Sequence, residues 1–270
     1  MRTATFLYDR IGGGYDATRR ADPYIAVRLR ELLGVRGGGR YLDLACGTGN
    51  YTMALAAAGG DWMGVDCSPV MINAARSKST QVAWHVGDAT TLPSPANGLD
   101  GVLCVLAIHH FRDRAAAFAE VRRVLCRGGR FVVFTAGRAQ MRRYWLNHYF
   151  RDAMARSIDQ MPDLDEVEAA MRGAGLVPRG REPYSVRPDL QDCFLYSGKD
   201  APGRYLDPQV RAGISTFAAL ASADEVEVGC RRLADDIGTG RIQEVIAGCD
   251  DLEGDYTFVT AEAAAPLDGP

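Results

Sequence analysis

Apolar runs alternate with segments of helical period through the first half of the chain. Extended runs fall at residues 40–45, 61–66, 82–87, 99–106 and 130–135, and helical periodicity falls near 21–34, 50–59, 68–77 and 113–125. Ser68 caps the third helical segment with Pro69 in its first turn, and Gly128 and Gly129 make the turn into the fifth strand. Strand–helix alternation predicts an α/β fold, a parallel sheet covered on both faces whose ligand crevice lies at the carboxyl ends of the strands. Helical patterns continue at 141–157 and 164–174, and the stretches 176–186 and 254–261 are extended.

The candidate chemistry sits at those strand ends. YLDLACGTGNY (41–51) places Asp43 four residues ahead of a Gly-x-Gly turn, and Gly47 and Gly49 let the backbone turn sharply and lie close to a ligand. Asn50 opens the next helix, so free amide donors face the same crevice. Asp66 ends the following apolar run, a position from which a carboxylate accepts both hydroxyls of a ribose. A dehydrogenase fingerprint would want a third glycine where this chain has Thr52. That departure disfavours a nicotinamide-binding reading.

Four ordered segments resemble the class I S-adenosylmethionine-dependent methyltransferases of the small-molecule type. LDLACGTG (42–49) is similar to the first motif of the family, and GVDCSPVMINAAR (64–76) to its ribose motif. HVGDATTLP (85–93) is similar to the adenine motif, and LDGVLCVLAIHHFRD (99–113) with EVRRVLCRGGRFVVFT (120–135) to the fourth and fifth strands. The resemblance covers about half of the chain. It implies a Rossmann-like seven-stranded sheet, mostly parallel with the last strand antiparallel, helices on both faces, and S-adenosylmethionine as cofactor. The runs 176–186 and 254–261 then become the sixth and seventh strands, separated by an insertion of about 60 residues. The domain reading is an N-terminal cofactor-covering segment at 1–39, a core at 40–186, a helical insertion at 187–252, a final core strand at 253–262 and a frayed tail at 263–270. Segments 208–220 and 223–237 of the insertion have helical periodicity, and they read as a cap over the crevice or as a dimerisation patch.

The same resemblance implies the cofactor contacts. Asp66 would bind the ribose, Asp88 between Gly87 and Ala89 would accept from the adenine amino group, and Met71 beyond Cys67 would cover the adenine face. Asp43 would organise the turn of Ala45, Gly47 and Gly49 near the methionine amino group, and Leu106 would lend backbone groups. In the N-terminal segment, Tyr15 would approach the sulfonium and Arg20 the methionine carboxylate, through cation attraction and a planar fork. His109 and His110 follow the fourth strand and are the base candidates, with Tyr15 the third catalytic candidate; a structural role for each histidine fits equally well. Tyr8, Trp145, His148, Tyr149 and Tyr196 are candidates for an aromatic acceptor pocket, although aromatic stripes often belong to a core.

Composition narrows the class. Over 270 residues the net charge is −3, which argues against a nucleic-acid or anionic-membrane surface, and no run reaches a membrane span. Seven cysteines without a CxxC pair predict reduced thiols, no metal site and a cytoplasmic protein. As partners the reading expects a small-molecule methyl acceptor, with the chain a monomer or homodimer. The reading is a methyltransferase of natural product biosynthesis moving a methyl group to an O or N nucleophile of a small aromatic or heteroaromatic metabolite. The alternatives are an RNA or protein acceptor, or a cofactor-binding protein without methyl transfer.

Overall fold

The computed structural model describes residues 12–249 and 253–264. Strands β1 (Arg40–Leu44), β2 (Asp61–Asp66), β3 (Ala83–Val86), β4 (Leu99–Val105), β5 (Leu125–Thr135), β6 (Leu176–Tyr184) and β7 (Tyr256–Ala263) form one sheet in the order β3-β2-β1-β4-β5-β7-β6. The first five are parallel, and β7 runs antiparallel between β5 and β6. This is the expected Rossmann-like sheet. Pro178 and Pro183 are tolerated in β6 because it is an edge strand, where a missing amide donor breaks no second ladder.

Side chains of the parallel strands alternate between two cores. Leu42 and Leu44 enter one core with Phe118 and Val121 of a helix at Arg114–Val124, while Tyr41 enters the other with Ile25, Leu29 and Leu33. Numbered along the chain, the first helices are α1 (Pro23–Leu33), α2 (Asn50–Ala56), α3 (Pro69–Lys78) and α4 (Arg114–Val124). Asp22 caps α1 by accepting from the Ile25 amide, and Ser68 caps α3 by accepting from the Met71 amide at 3.3 Å.

Three expectations need correction. Gly128, at φ +73, is a bulge inside a longer β5 rather than a turn ahead of it, and the β4–β5 register shifts there from Leu99↔Leu125 to Gly101↔Arg130. The helix expected at 141–157 is three pieces, α5 (Arg138–Arg142), α6 (Leu146–Tyr149) and α7 (Arg151–Gln160). Asn147 Nδ2 donates to the Met141, Arg142 and Tyr144 carbonyls and so ends α5, while Phe150 leaves helical geometry at φ −128, ψ 57. The breaks turn Tyr144, Trp145 and Phe150 into the core, where each is almost fully buried. After α8 (Leu164–Gly173), the segment expected as one helix at 208–220 is α9 (Pro208–Ala212) followed by a π-helical turn at Thr216–Leu220; α10 (Ala223–Thr239) and α11 (Ile242–Ala247) complete the insertion.

The chain leaves β1 for β2 and β3 on one side and returns to β4 on the other, so a crevice opens at the carboxyl ends of β1 and β4. Both strands end there in left-handed residues, Ala45 at φ 58 and Leu106 at φ 53. Such backbone is uncommon without glycine and concentrates at functional sites.

The two turn glycines differ in what they tolerate. At Gly49 (φ +78) an added Cβ would lie 2.2 Å from the Trp84 ring, whereas at Gly47 (φ +55) it would meet open space. Gly49→Ala should cost more than about 2 kcal/mol in urea unfolding, and Gly47→Ala about 1 kcal/mol from backbone strain alone. Equal losses would show that Trp84 can move aside.

Candidate active site

A cavity of about 330 Å³ lies across the carboxyl ends of the first five strands. Its walls come from Leu44 and Ala45 after β1, Asp66 and Cys67 after β2, and residues 87–90 after β3. Leu106 and the histidines follow β4, and Thr135 and Ala136 close β5. Four strand spacings separate β3 from β5, about 19 Å at ~4.8 Å each, room for a long ligand beside a second molecule.

The acidic end is built by β2 and β3. Asp66 is 9% exposed, and its Oδ2 accepts from the Gly47 amide at 2.9 Å while Oδ1 accepts from the Ser68 amide at 2.9 Å. One carboxylate therefore holds the glycine turn against the N-terminus of α3. Asp88 accepts from both the amide (2.9 Å) and the hydroxyl (2.7 Å) of Thr90, and these bonds hold its carboxyl below the ordinary range. Gly47, Cys67, Met71, Gly87 and Ala89 line the same end. Gly49 does not; it serves Trp84 packing instead.

A smaller cavity of about 60 Å³ adjoins the glycine turn, lined by Tyr15, Arg19, Arg20, Asp43 and Asp192 among others. Asp43 lies beneath it, 2% exposed, accepting from the Thr52 hydroxyl at 2.6 Å. Burial, eased by Thr52 and reinforced by nearby Asp66, pushes its carboxyl up to about 7. Arg20 is exposed and touches only this smaller space. Its neighbour Arg19 lines both cavities and is fixed by Asp192 at 2.5 Å and by the Tyr15 hydroxyl at 2.8 Å. The pattern of charges along the chain gave no reason to prefer Arg19, whose partner Asp192 lies 173 positions away.

Tyr15 is carried by a 3₁₀ turn at Gly12–Ala17. Asp16 of that turn accepts from Thr48 (2.5 Å), Asn50 (3.0 Å) and Lys78 (2.7 Å), which pins it to the glycine turn and α3. Burial raises the Tyr15 phenol above its ordinary value, against the pull of Arg19. Its hydroxyl therefore acts as a neutral hydrogen-bonding group rather than a phenolate base.

His109 and His110 form a 3₁₀ turn at Ile108–His110, their ring centroids 3.9 Å apart, and both line the main cavity. Burial lowers His110 to about 4 and, with His110 and Arg114 adding to it, drives His109 well below the ordinary imidazole value. Both rings are neutral at physiological pH. His109 Nδ1 is buried with no hydrogen-bond partner among the described residues, a cost of about 1–3 kcal/mol.

The aromatic acceptor pocket is a correction. Trp145 is 1% exposed and packs against Tyr149, Tyr196 and Tyr205, Tyr149 donates to Asp236 at 2.8 Å, and Tyr196 stacks on Tyr144 with centroids 3.9 Å apart. His148 is exposed, beside Arg232. None of these four lines the cavity, because the stripe they form is the core beneath the insertion. Tyr8 lies outside the described residues. The cavity wall beyond β5 is instead Met141, Ser157, Met161, Phe194, Ile214 and Thr216 with their neighbours, three of them from the insertion. Among the described residues, no helix is long and apolar enough to cross a membrane.

Comparison with known proteins agrees with this geometry. The family described as "Methyltransferase domain" matches residues 42–133. A demethylmenaquinone methyltransferase of Symbiobacterium thermophilum is 30% identical over 209 residues, covering 63% of this chain and 83% of that protein. One from Corynebacterium efficiens is 34% identical over 132 residues, but the chain spans only 56% of its length. A solved structure from Anabaena variabilis, described as a "putative methyltransferase from antibiotic biosynthesis pathway", superposes with a TM-score of 0.80 at 32% identity, covering 90% of this chain and 98% of that one.

The site can be tested at two of its residues. Asp66→Asn keeps a hydrogen-bonding side chain but loses the charge, and it should raise the S-adenosylhomocysteine dissociation constant at least tenfold by titration calorimetry. Unchanged affinity would remove Asp66 from the ribose role. For His110 the folded value of about 4 lies below the unfolded ~6.5, so the unfolded chain binds the proton first and stability falls as pH drops from 6.5 towards 4. His110→Gln should shrink that acid loss by on the order of 2 kcal/mol in denaturation at pH 7 and 4.5; an unaltered acid limb would show that the ring is not neutral in the fold.

Proposed function

We propose that this chain, which belongs to the class I S-adenosylmethionine-dependent methyltransferases, moves the methyl group to an O or N nucleophile on a small aromatic or heteroaromatic metabolite. One observation carries the acceptor reading. Beyond β5, the cavity wall of Met141, Met161, Phe194, Leu195 and Ile214 is apolar, its polar members Ser157, Ser215, Thr216 and Tyr256 are uncharged, and Arg19, which reaches Gly213 at its edge, is neutralised by Asp192. A charged sugar phosphate or a nucleic-acid backbone would lose its hydration there without compensation.

In this reading the acidic end holds the cofactor. Asp66 accepts from the ribose hydroxyls, Asp88 from the adenine amino group, and Met71 packs on the adenine. Tyr15, Arg19, Arg20 and Asp43 surround the amino-acid portion. When bound, S-adenosylmethionine supplies a methyl already activated for in-line displacement. The chain then has to align the acceptor and exclude water, and the residues of 187–252 that reach the cavity act as the cap that does both. Orientation is worth ~7–11 kcal/mol, whereas a general base contributes ~10²–10⁴ in rate. His109 and His110, which line the cavity, are the groups beside the O–H or N–H of the acceptor in this reading. The antibiotic-pathway relative supports a place in natural product biosynthesis, and the net charge and cysteines support a cytoplasmic enzyme.

A second reading has its own support. The relatives named demethylmenaquinone methyltransferases support a quinone- or quinol-type ring as acceptor. Incubation with ¹³C-methyl-labelled S-adenosylmethionine should give turnover with phenols, heteroaromatic amines or quinols at least tenfold above nucleosides and sugars. The ¹³C shift of the product separates O- and N-methyl from C-methyl. Turnover confined to nucleosides, RNA or peptides would overturn the small aromatic acceptor.

A further inference from the structure

The apolar end of the cavity contains a buried pair of hydroxyls that the proposed chemistry does not use. Ser157 Oγ on α7 lies 2.9 Å from Thr216 Oγ1 at the start of the π-helical turn of the insertion. Ser157 is 8% exposed and Thr216 2%, and both line the cavity. A hydroxyl on a helix usually donates to the carbonyl one turn back, but neither has another hydrogen-bond partner among the described residues. Two hydroxyls carry two donors and four lone pairs, and their mutual bond uses one of each. One O–H donor and several lone pairs therefore remain beside the apolar side chains of Met141, Met161, Phe194, Leu195 and Ile214.

Packing alone would favour valine or alanine at these positions, since an uncommitted donor in an apolar wall is costly. A π-helical turn, itself infrequent and associated with functional sites, presents Thr216 to that wall. We infer that the Ser157–Thr216 hydroxyl pair is the specificity anchor for a second oxygen of the acceptor, a hydroxyl or carbonyl on the ring system away from the atom that is methylated. The inference rests on the apolar aromatic acceptor proposed above. The nucleophilic atom meets the histidines after β4, and the second oxygen meets the hydroxyls between α7 and the insertion. The acceptor class is thereby narrowed to rings bearing two oxygen substituents, such as dihydroxyarenes, quinols and hydroxyaryl ketones. A site built to bond an oxygen rejects the analogue lacking it more sharply than an apolar pocket distinguishes sizes.

Binding to the S-adenosylhomocysteine-saturated protein tests this, with 1-naphthol, 1,5-dihydroxynaphthalene and 2,6-dihydroxynaphthalene as probes. The wild type should bind at least one diol at least fivefold more tightly than 1-naphthol. In Ser157→Ala/Thr216→Val that preference should fall below twofold, with 1-naphthol affinity, S-adenosylhomocysteine affinity and melting temperature little changed. Thr216→Ser, which keeps the hydroxyl, should retain the preference and serves if the double variant folds poorly. No diol preference in the wild type, or a preference that survives in the double variant, overturns the anchor alone. Failure of all three probes to bind overturns the apolar aromatic reading, and the anchor with it.

Discussion

The roof of the cavity depends on one buried ion pair. Arg19 meets Asp192 through Nε at 2.5 Å and Nη2 at 3.3 Å, with the two side chains 13% and 1% exposed. Burial works against the charge of Arg19, yet Asp192 and Tyr15 keep the guanidinium firmly protonated. The pair draws in three parts of the chain. Arg19 Nη1 donates to the Tyr15 hydroxyl, the Tyr51 hydroxyl at the start of α2 donates to Asp192, and the Cys193 amide donates to the Thr18 carbonyl. Removing one member of such a pair strands the other and costs about 3–5 kcal/mol, so the N-terminal turn, the glycine-turn helix and the insertion hold their places together. Gly213 permits the approach, since a Cβ there would lie 2.6 Å from Thr18 Oγ1.

This joint gives the cavity its direction. On one side stand Asp66 and Asp88, which can receive hydroxyl and amino donors; on the other, Met141 of α5, Met161 just after α7 and residues of the insertion supply apolar surface. The sheet contributes the same strand-end geometry to both halves. The halves differ in how the chain leaves each strand: by short turns into helices after β1 and β2 and by a loop straight to β4 after β3, and by a long, broken helical path after β5.

That difference also decides how much could be read from the sequence. The glycine turn and Asp66 belong to strand–turn–helix units and Asp88 to the turn after β3, and their partners lie within about twenty positions, as in the bonds from Gly47 to Asp66 and from Thr90 to Asp88. Spacing therefore reveals them. Arg19 and Arg20 look alike in sequence, and only Asp192, far along the chain, turns one of them inward. The stripe of Trp145, Tyr149 and Tyr196 has the periodicity of any buried aromatic face, and no local signal distinguishes a core from a pocket. Ser157 and Thr216 are ordinary polar residues 59 positions apart, and only the packing of α7 on the insertion gives them a shared role.

The electrostatics of the site fit a cationic methyl donor. In a dry cavity an imidazolium beside a sulfonium would be repelled strongly, because the interior screens charges poorly. Burial removes that conflict by keeping His109 and His110 neutral at physiological pH. The same burial makes each ring a weak base, so proton removal can contribute little driving force ahead of methyl transfer. A weak base is sufficient for a nucleophile whose proton leaves as the new bond forms, provided the acceptor is held in line. On the proposed reading, the low basicity of the histidines, the apolar wall and the roof fixed by Arg19 and Asp192 belong to one arrangement, in which orientation, worth ~7–11 kcal/mol, outweighs a general base worth ~10²–10⁴ in rate.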